Sequence, residues 1–323
     1  VLLWDLSQDG AQIRPIKLGS HGNKIWVVVF SPDGRWLASA GRDGTLRLWD
    51  MRSPEPGMQA YVLEGSGGEV LSAAFSPDGR WLASAGEDGV ARWWDVSAEE
   101  PLLEPIELRG HEGTIHAVAF RPDGGWLATA GEDTIVRVWR LTDDPGSTEA
   151  LVLEDHREAV SSLAFSPDRR WLASGSQDGT TRLWDLKSAN FPEQVRSHTL
   201  RRHLEPIHSL TFSPDGRWLA TSSQDTTTRL WDLSVEEPEA NPILMTINRS
   251  MLRGIGDVWA VAISPDGRWL ATGSRDGVVR VWNLVAEELN ARVCAITGRN
   301  LTMDEWLEFQ PGVAYEKTCA QWP

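Results

Sequence analysis

Residues 31–50 read Ser-Pro-Asp-Gly-Arg-Trp-Leu-Ala-Ser-Ala-Gly-Arg-Asp-Gly-Thr-Leu-Arg-Leu-Trp-Asp. Pro32-Asp33-Gly34 carries turn chemistry, with Gly34 free to take positive φ. Trp36 to Ala40 then predicts a strand, Asp43-Gly44 a hairpin turn, and Thr45 to Trp49 a second strand antiparallel to it. Just upstream, Ile25 to Phe30 is apolar and rich in β-branched residues, as a buried strand should be. Downstream, Tyr61-Val62-Leu63 predicts a less regular fourth strand, as does Ile106-Glu107-Leu108 in the next unit.

The stretch recurs. Copies of the turn begin at Ser31, Ser76, Arg121, Ser166, Ser213 and Ser264, and each leads to a Trp-Asp pair or a variant of it, Trp139-Arg140 and Trp282-Asn283 being the departures. With Trp4 added, Trp49, Trp94, Trp139, Trp184, Trp231 and Trp282 recur at intervals of 45, 45, 45, 45, 47 and 51 residues. A fixed period of this length marks a repeat architecture. Four antiparallel strands per period make one propeller blade. The expected fold is all-β: a seven-bladed β-propeller of four-stranded blades with a truncated first blade. Residues 1–20 are assigned to the outer strands of that blade, Val1 to Leu6 and Ile13 to Leu18. Residues 21–284 hold six repeats, and 285–323 a non-repeat, partly helical tail. The start at Val1 without methionine suggests a fragment, so the inner strands of the first blade are expected from upstream sequence or from the tail.

Composition narrows the function. The chain has 323 residues, 18 Trp against 2 Tyr and 7 Phe, and a net charge of −15. That acidic balance opposes nucleic acid, whose binding rests on Lys and Arg neutralising phosphates. No apolar run is long enough for a membrane span. The two cysteines, Cys294 and Cys319, do not make a secreted disulfide framework, and a cytoplasmic location is expected. No phosphate-binding glycine loop, His-Glu-x-x-His or Cys-x-x-Cys occurs, so no cofactor, metal site or catalytic residue is assigned.

These six aligned copies resemble the WD40-repeat family over residues 1 to about 284. The resemblance implies a hydrogen-bonded set in each blade: a His before the first strand, a Ser or Thr on the second, the turn Asp and the third-strand Trp. Here the sets are His21, Ser39, Asp43 and Trp49; His111, Thr129, Asp133 and Trp139; His156, Ser174, Asp178 and Trp184; and His203, Thr221, Asp225 and Trp231. Ser66 and Gly254 stand at the His position in the second and sixth copies, which are expected to lack the complete network. Ser, His and Asp together also suit acyl transfer. Four copies at one register, each with an indole N–H to satisfy the hydroxyl, favour a structural role. Arg47, Arg92, Arg137, Arg182, Arg229 and Arg280, with Arg35, Arg80, Arg170, Arg217 and Arg268, are read as partners of repeat Asp residues rather than as an anion-binding ring.

Positions that vary between blades are free to specify a partner. The resemblance places exposed residues of the narrow face just after the first strand's start, just before it, and before the turn Asp. The first set is Trp26, Leu71, His116, Ser161, His208 and Trp259. The second is Lys24, Glu69, Thr114, Ala159, Pro206 and Asp257, and the third Arg42, Glu87, Glu132, Gln177, Gln224 and Arg275. Trp26, Lys24, Arg42, Trp259 and Arg275 define an aromatic, cationic sector, and Glu69, Glu87 and Glu132 an opposite acidic one; Leu71, His116 and His208 complete the candidate partner-binding residues. Trp and Arg are enriched in binding hot spots. The alternative is that Trp26 and Trp259 cap the blade packing.

In the tail, Val285, Leu289, Val293 and Ile296 share one helical face, and Thr302 with Glu305 forms a capping box. Cys294 to Trp306 and Tyr315 to Cys319 resemble the C-terminal tail of large bacterial multidomain WD40 proteins, in which the propeller follows a STAND-type NTPase or another effector. The resemblance implies a non-enzymatic protein- or peptide-binding module of a larger bacterial signalling protein, with upstream domains of the same polypeptide as a further partner. An enzyme or small-ligand binder using the central pocket, and a purely structural scaffold, are the competing classes.

Overall fold

The computed structural model describes residues 1–4, 15–53, 60–63, 67–97, 104–141, 150–187, 195–235, 238, 242–245 and 256–284. The expected tail helices, Cys294, Cys319, the Thr302–Glu305 box, Ser66 and Gly254 lie outside these residues. Among the described residues all regular structure is β, in seven antiparallel sheets: five of four strands, one of three and one of two. The chain divides into two compact units, Val1–Leu163 and Ala164–Pro323.

In the first unit, β1 (Leu2–Leu3) pairs with β2 (Ile16–Lys17). Three four-stranded sheets follow in chain order. They are β3 (Ile25–Phe30), β4 (Trp36–Gly41), β5 (Leu46–Asp50) and β6 (Ala60–Leu63); β7 (Val70–Phe75), β8 (Trp81–Gly86), β9 (Ala91–Asp95) and β10 (Ile106–Leu108); and β11 (Ile115–Phe120), β12 (Trp126–Gly131), β13 (Val136–Arg140) and β14 (Ala150–Leu153). The unit boundary falls within β15 (Val160–Phe165). The second unit contains β16 (Trp171–Ser176), β17 (Thr181–Asp185) and β18 (Arg196–Leu200), then β19 (Ile207–Phe212), β20 (Trp218–Ser223), β21 (Thr228–Asp232) and β22 (Ile243–Met245). It ends with β23 (Val258–Ile263), β24 (Trp269–Ser274) and β25 (Val279–Asn283).

The recurring turn is closed by its own side chains. Ser31 Oγ accepts from the Trp36 amide at 2.8 Å and donates to Asp33 Oδ1 at 2.6 Å, while Gly34 N donates to Ser31 O at 2.9 Å. Gly34 takes a φ of 68°, and Arg169, its replacement in the fourth copy, holds 64°. Sequence reading missed two further cases: Thr134 (66°) and Thr226 (69°) stand where other hairpins place the glycine of Asp-Gly.

Burial follows from the pleat. In the first unit Ala38, Ala40, Leu46 and Leu48 of one sheet share a core with Val70, Phe75 and Leu82 of the next. In the second, Ala173 and Leu183 pack with Leu210, Phe212 and Leu219. Each such leucine, removed from water, contributes about 1.5–3 kcal/mol. Trp36 adds a polar tie between sheets, its indole N–H donating to Val96 O at 3.1 Å.

The turn arginines have a double role. Arg80, Arg170 and Arg217 lie 4.4–4.8 Å over Trp81, Trp171 and Trp218 while bonding to Asp95, Asp185 and Asp232 at 3.0, 3.2 and 2.7 Å. The third copy carries Gly125 in place of the turn arginine and Arg140 in place of the aspartate, and Arg140 sits over Trp126 at 5.9 Å. The cation is thus supplied from the other end of the same pair. Trp93, which the repeat pattern leaves without a role, is buried and stacks on Trp81 at 4.4 Å.

Candidate partner-binding face

One backbone irregularity builds the candidate positions. In β3 the register steps from Ile25↔Gly41 to Val27↔Ala40, leaving Trp26 as an extra residue without a cross-strand partner. The same bulge isolates Leu71, His116, His208 and Trp259. A bulge of this kind re-aims a side chain away from the ladder. The residue before the strand then turns its carbonyl to the amide ahead of the turn Asp. Lys24 O accepts from Arg42 N at 2.8 Å, Glu69 O from Glu87 N at 3.0 Å, Thr114 O from Glu132 N at 2.9 Å, Pro206 O from Gln224 N at 2.9 Å and Asp257 O from Arg275 N at 2.9 Å. Glycine opposite the bulge gives the backbone room. A Cβ on Gly41, Gly86 or Gly131 would lie 2.1, 1.8 or 1.9 Å from the carbonyl oxygen of Lys24, Glu69 or Thr114.

In the first unit, Trp26 is 48% exposed and its indole N–H donates to Glu69 Oε2 at 2.8 Å, while Arg42 Nε meets Glu69 Oε1 at 2.8 Å. Lys24 Nζ stands 5.9 Å from the Trp26 ring. Glu69, expected in the acidic sector, therefore joins the aromatic and cationic residues instead, because it precedes the first strand of the adjacent sheet. Glu87 and Glu132 each accept a backbone amide, from Glu69 at 3.0 Å and Thr114 at 3.1 Å. Leu71 and His116 are half-buried beside them, and burial pushes the His116 imidazole down against the opposing pull of Glu132.

In the second unit, Trp259 is 52% exposed and stacks on His208 at 4.4 Å with the planes 9° apart. Burial lowers the His208 imidazole, with Asp257 opposing. Arg275 Nη1 reaches Asp257 at 3.5 Å and is otherwise largely exposed.

The buried sets have a different character. His21 Nδ1 meets Asp43 at 3.0 Å and its Nε2 meets Ser39 Oγ at 2.8 Å, and Trp49 Nε1 donates to Ser39 Oγ at 3.1 Å. His111 lies 2.9 Å from Asp133 and 2.7 Å from Thr129, with Trp139 donating to Thr129 at 2.8 Å. His203 lies 2.8 Å from Asp225 and 2.9 Å from Thr221, with Trp231 donating to Thr221 at 2.9 Å. In the fourth copy Trp184 donates to Ser174 at 2.9 Å, Asp178 accepts from Thr180 N at 2.8 Å, and His156 is buried. Burial lowers the His111 and His203 imidazoles more than their aspartates raise them. For Asp133 and Asp225, burial acts to raise the carboxyl but is outweighed by bonds from His111 and His203, which hold both below the ordinary range. Ser39, Thr129, Ser174 and Thr221 are fully buried, so a substrate carbonyl has no path to these hydroxyls.

In the copies without the histidine the turn aspartate still meets an arginine, as Asp133 meets Arg137 at 2.7 Å beside His111 in the third copy. Arg92 reaches Asp88 at 2.7 Å and Arg280 reaches Asp276 at 2.7 Å, while Trp94 and Trp282 still donate to Ser84 and Thr272 at 3.2 and 3.4 Å. Among the described residues no group of three or more His, Cys, Asp and Glu could hold a metal ion, and no helix is long and apolar enough to cross a membrane.

Comparison with known proteins agrees with this geometry. The family model for the WD domain, G-beta repeat, matches residues 14–50, 57–95, 104–140, 147–185, 194–232 and 248–283, well over half of the chain. The ribosome biogenesis protein erb1 of Botryotinia fuckeliana (strain B05.10) is 46% identical over 50 residues, which cover 15% of this chain and 7% of that relative. The chain therefore belongs to the WD40-repeat family, whose propellers generally bind proteins or peptides and are generally not enzymes.

Proposed function

We propose that this chain is a non-enzymatic protein- or peptide-binding propeller, acting in the cytoplasm as the interaction and sensing module of a larger bacterial signalling protein. The binding claim rests chiefly on Trp259. Its neighbours Val258 and Val261 are 5% and 8% exposed, yet the bulge turns this indole half into solvent with His208 stacked behind it. An aromatic plane held in place from one side offers the other to a partner at little entropic cost. Trp26, braced by Glu69, gives the first unit a comparable anchor beside Lys24 and Arg42. The sensing role rests on the tail residues Cys294 to Trp306, and a nucleotide-binding or protease-like domain upstream in the parent reading frame is its direct check.

The binding test needs no known partner. Peptides selected from a displayed library on the intact chain are titrated against the parent, Trp26→Ala and Trp259→Ala. Affinity is expected to fall about tenfold or more for at least one variant, a hot-spot-sized loss, while melting temperature stays within about 2 °C, as for other surface changes. Unchanged affinity with lowered stability would remove the claim and assign both Trp residues to packing.

A further inference from the structure

The arginine two residues before each third-strand Trp finds its partner according to one neighbouring residue. Where Val90, Ile135 or Val278 stands two places after the turn aspartate, Arg92, Arg137 or Arg280 reaches that carboxylate at 2.7 Å. Where Thr45, Thr180 or Thr227 stands there, its hydroxyl donates to the aspartate at 2.9, 2.6 or 2.6 Å. Arg47 is then left 3.8 Å from Asp43 and donates to Ser20 O at 2.9 Å, and Arg182 donates to Thr199 Oγ1 at 3.1 Å. Arg229 finds no such substitute among the described residues. Asp225 is taken by His203, by the Leu204 amide and by both the amide and the hydroxyl of Thr227. Across the ladder from Arg229 stands Leu244, where Arg92 has Glu107 and Arg182 has Thr199. The residue before the histidine also lies against this arginine: it is Ser20 in the first copy, and a Cβ on its counterpart Gly110 would lie 3.4 Å from Arg137 Nε. In the fifth copy that residue is Arg202. Arg229 Nε is thus buried without an acceptor, and burial pushes the guanidinium down, with Asp225 opposing and Arg202 adding to the push.

We propose that Arg229 and Arg202 form a binding site for a phosphate group, whose oxygens the Arg229 fork receives beside Leu244. A half-buried cation without an acceptor is unfavourable, and an anion relieves both the missing bond and the repulsion from Arg202. The planar fork matches phosphate oxygens, and a second cation favours a multiply charged anion over a carboxylate. The site uses none of the bulge residues, so it stands or falls independently of Trp26 and Trp259.

The test uses the intact chain and sodium phosphate at about pH 7.5, where phosphate is mostly dianionic, with sodium chloride and sodium acetate at matched ionic strength as references. Calorimetric titration should show saturable phosphate binding with a Kd on the order of 1 mM. A tenfold excess over that Kd should raise the melting temperature by about 2 °C beyond chloride. Arg229→Gln should abolish both responses yet melt no lower than the parent in phosphate-free buffer, because no protein contact leaves with the guanidinium. Arg137→Gln, which removes an ion pair, should melt lower and keep the phosphate response. A blocked Ala-phosphoserine-Ala peptide separates two sources of the group: tighter binding than inorganic phosphate places it on a partner chain, and equal or weaker binding on a free phosphate compound. Equal shifts from phosphate, acetate and chloride, or an undiminished phosphate response in Arg229→Gln, overturn the proposal. So does an Arg229→Gln variant that melts as low as Arg137→Gln, since the guanidinium would then already be satisfied within the chain.

Discussion

Thr134 and Thr226 sit in the left-handed region, where a side chain clashes with the following carbonyl at a cost of about 1–2 kcal/mol. Glycine removes the clash but enlarges the unfolded ensemble, which offsets about 0.4–1 kcal/mol of the gain. The balance favours glycine. Thr134→Gly and Thr226→Gly are each expected to stabilise by about 0.5–1 kcal/mol, measured as a higher urea midpoint at unchanged slope. A lower midpoint would mean that the β-branched side chain contributes more than its backbone strain removes. Side-chain types at the buried positions were readable from the sequence because each hydroxyl recurs with its Trp at one spacing. Arg140 over Trp126 was not, because exchanging the two ends of a pair breaks the pattern while preserving the contact.

At the scale of the strand, the inner-strand bulge is the central feature; Gly41, Gly86 and Gly131 give it room in the first three copies, and Ser223 and Ser274 stand opposite it in the last two. Gly41→Ala places a methyl group 2.1 Å from Lys24 O, a contact that only a backbone shift can relieve. Gly273, also on a second strand, has its nearest neighbour at 3.8 Å. Gly41→Ala is expected to cost about 2 kcal/mol and Gly273→Ala less than about 0.5, compared by denaturant unfolding of the two variants. Equal costs would show that the bulge relaxes freely. Strand order and turns were legible, since Pro-Asp-Gly, Asp-Gly and the apolar runs punctuate every copy. The candidate partner positions came from family resemblance, but the bulge on which they sit was hidden. A register step leaves no trace in an apolar run, and the glycine opposite it is replaced by Ser176, Ser223 and Ser274 in later copies. Glu69 was misplaced for a related reason: its reach to Trp26 and Arg42 crosses from one sheet to the next, which repeat-by-repeat alignment does not show.

Across the whole molecule, acid acts in one direction. Burial keeps the folded His111 and His203 imidazoles below their ordinary value, so on acidification the unfolded chain takes up protons that the folded chain resists. The stability they provide is present above about pH 6.5 and is lost as pH falls from there toward the folded values. Asp133 and Asp225 follow in the same sense, losing their contribution below about pH 4. Between these ranges the chain passes its isoelectric point near 4.9, where mutual repulsion no longer keeps copies apart. The urea midpoint is expected to fall between pH 7.5 and 5.5, and His203→Gln should show a smaller fall. A midpoint indifferent to pH in the parent would mean that these imidazoles titrate alike folded and unfolded.

The residue left over at the bulge of β3, β7, β11, β19 and β23 has no partner across the ladder, and Trp, Leu and His all occupy that place. The chain is in this respect a rack with interchangeable teeth: the side chains at these positions can be rewritten while the ladder that carries them stays as it is.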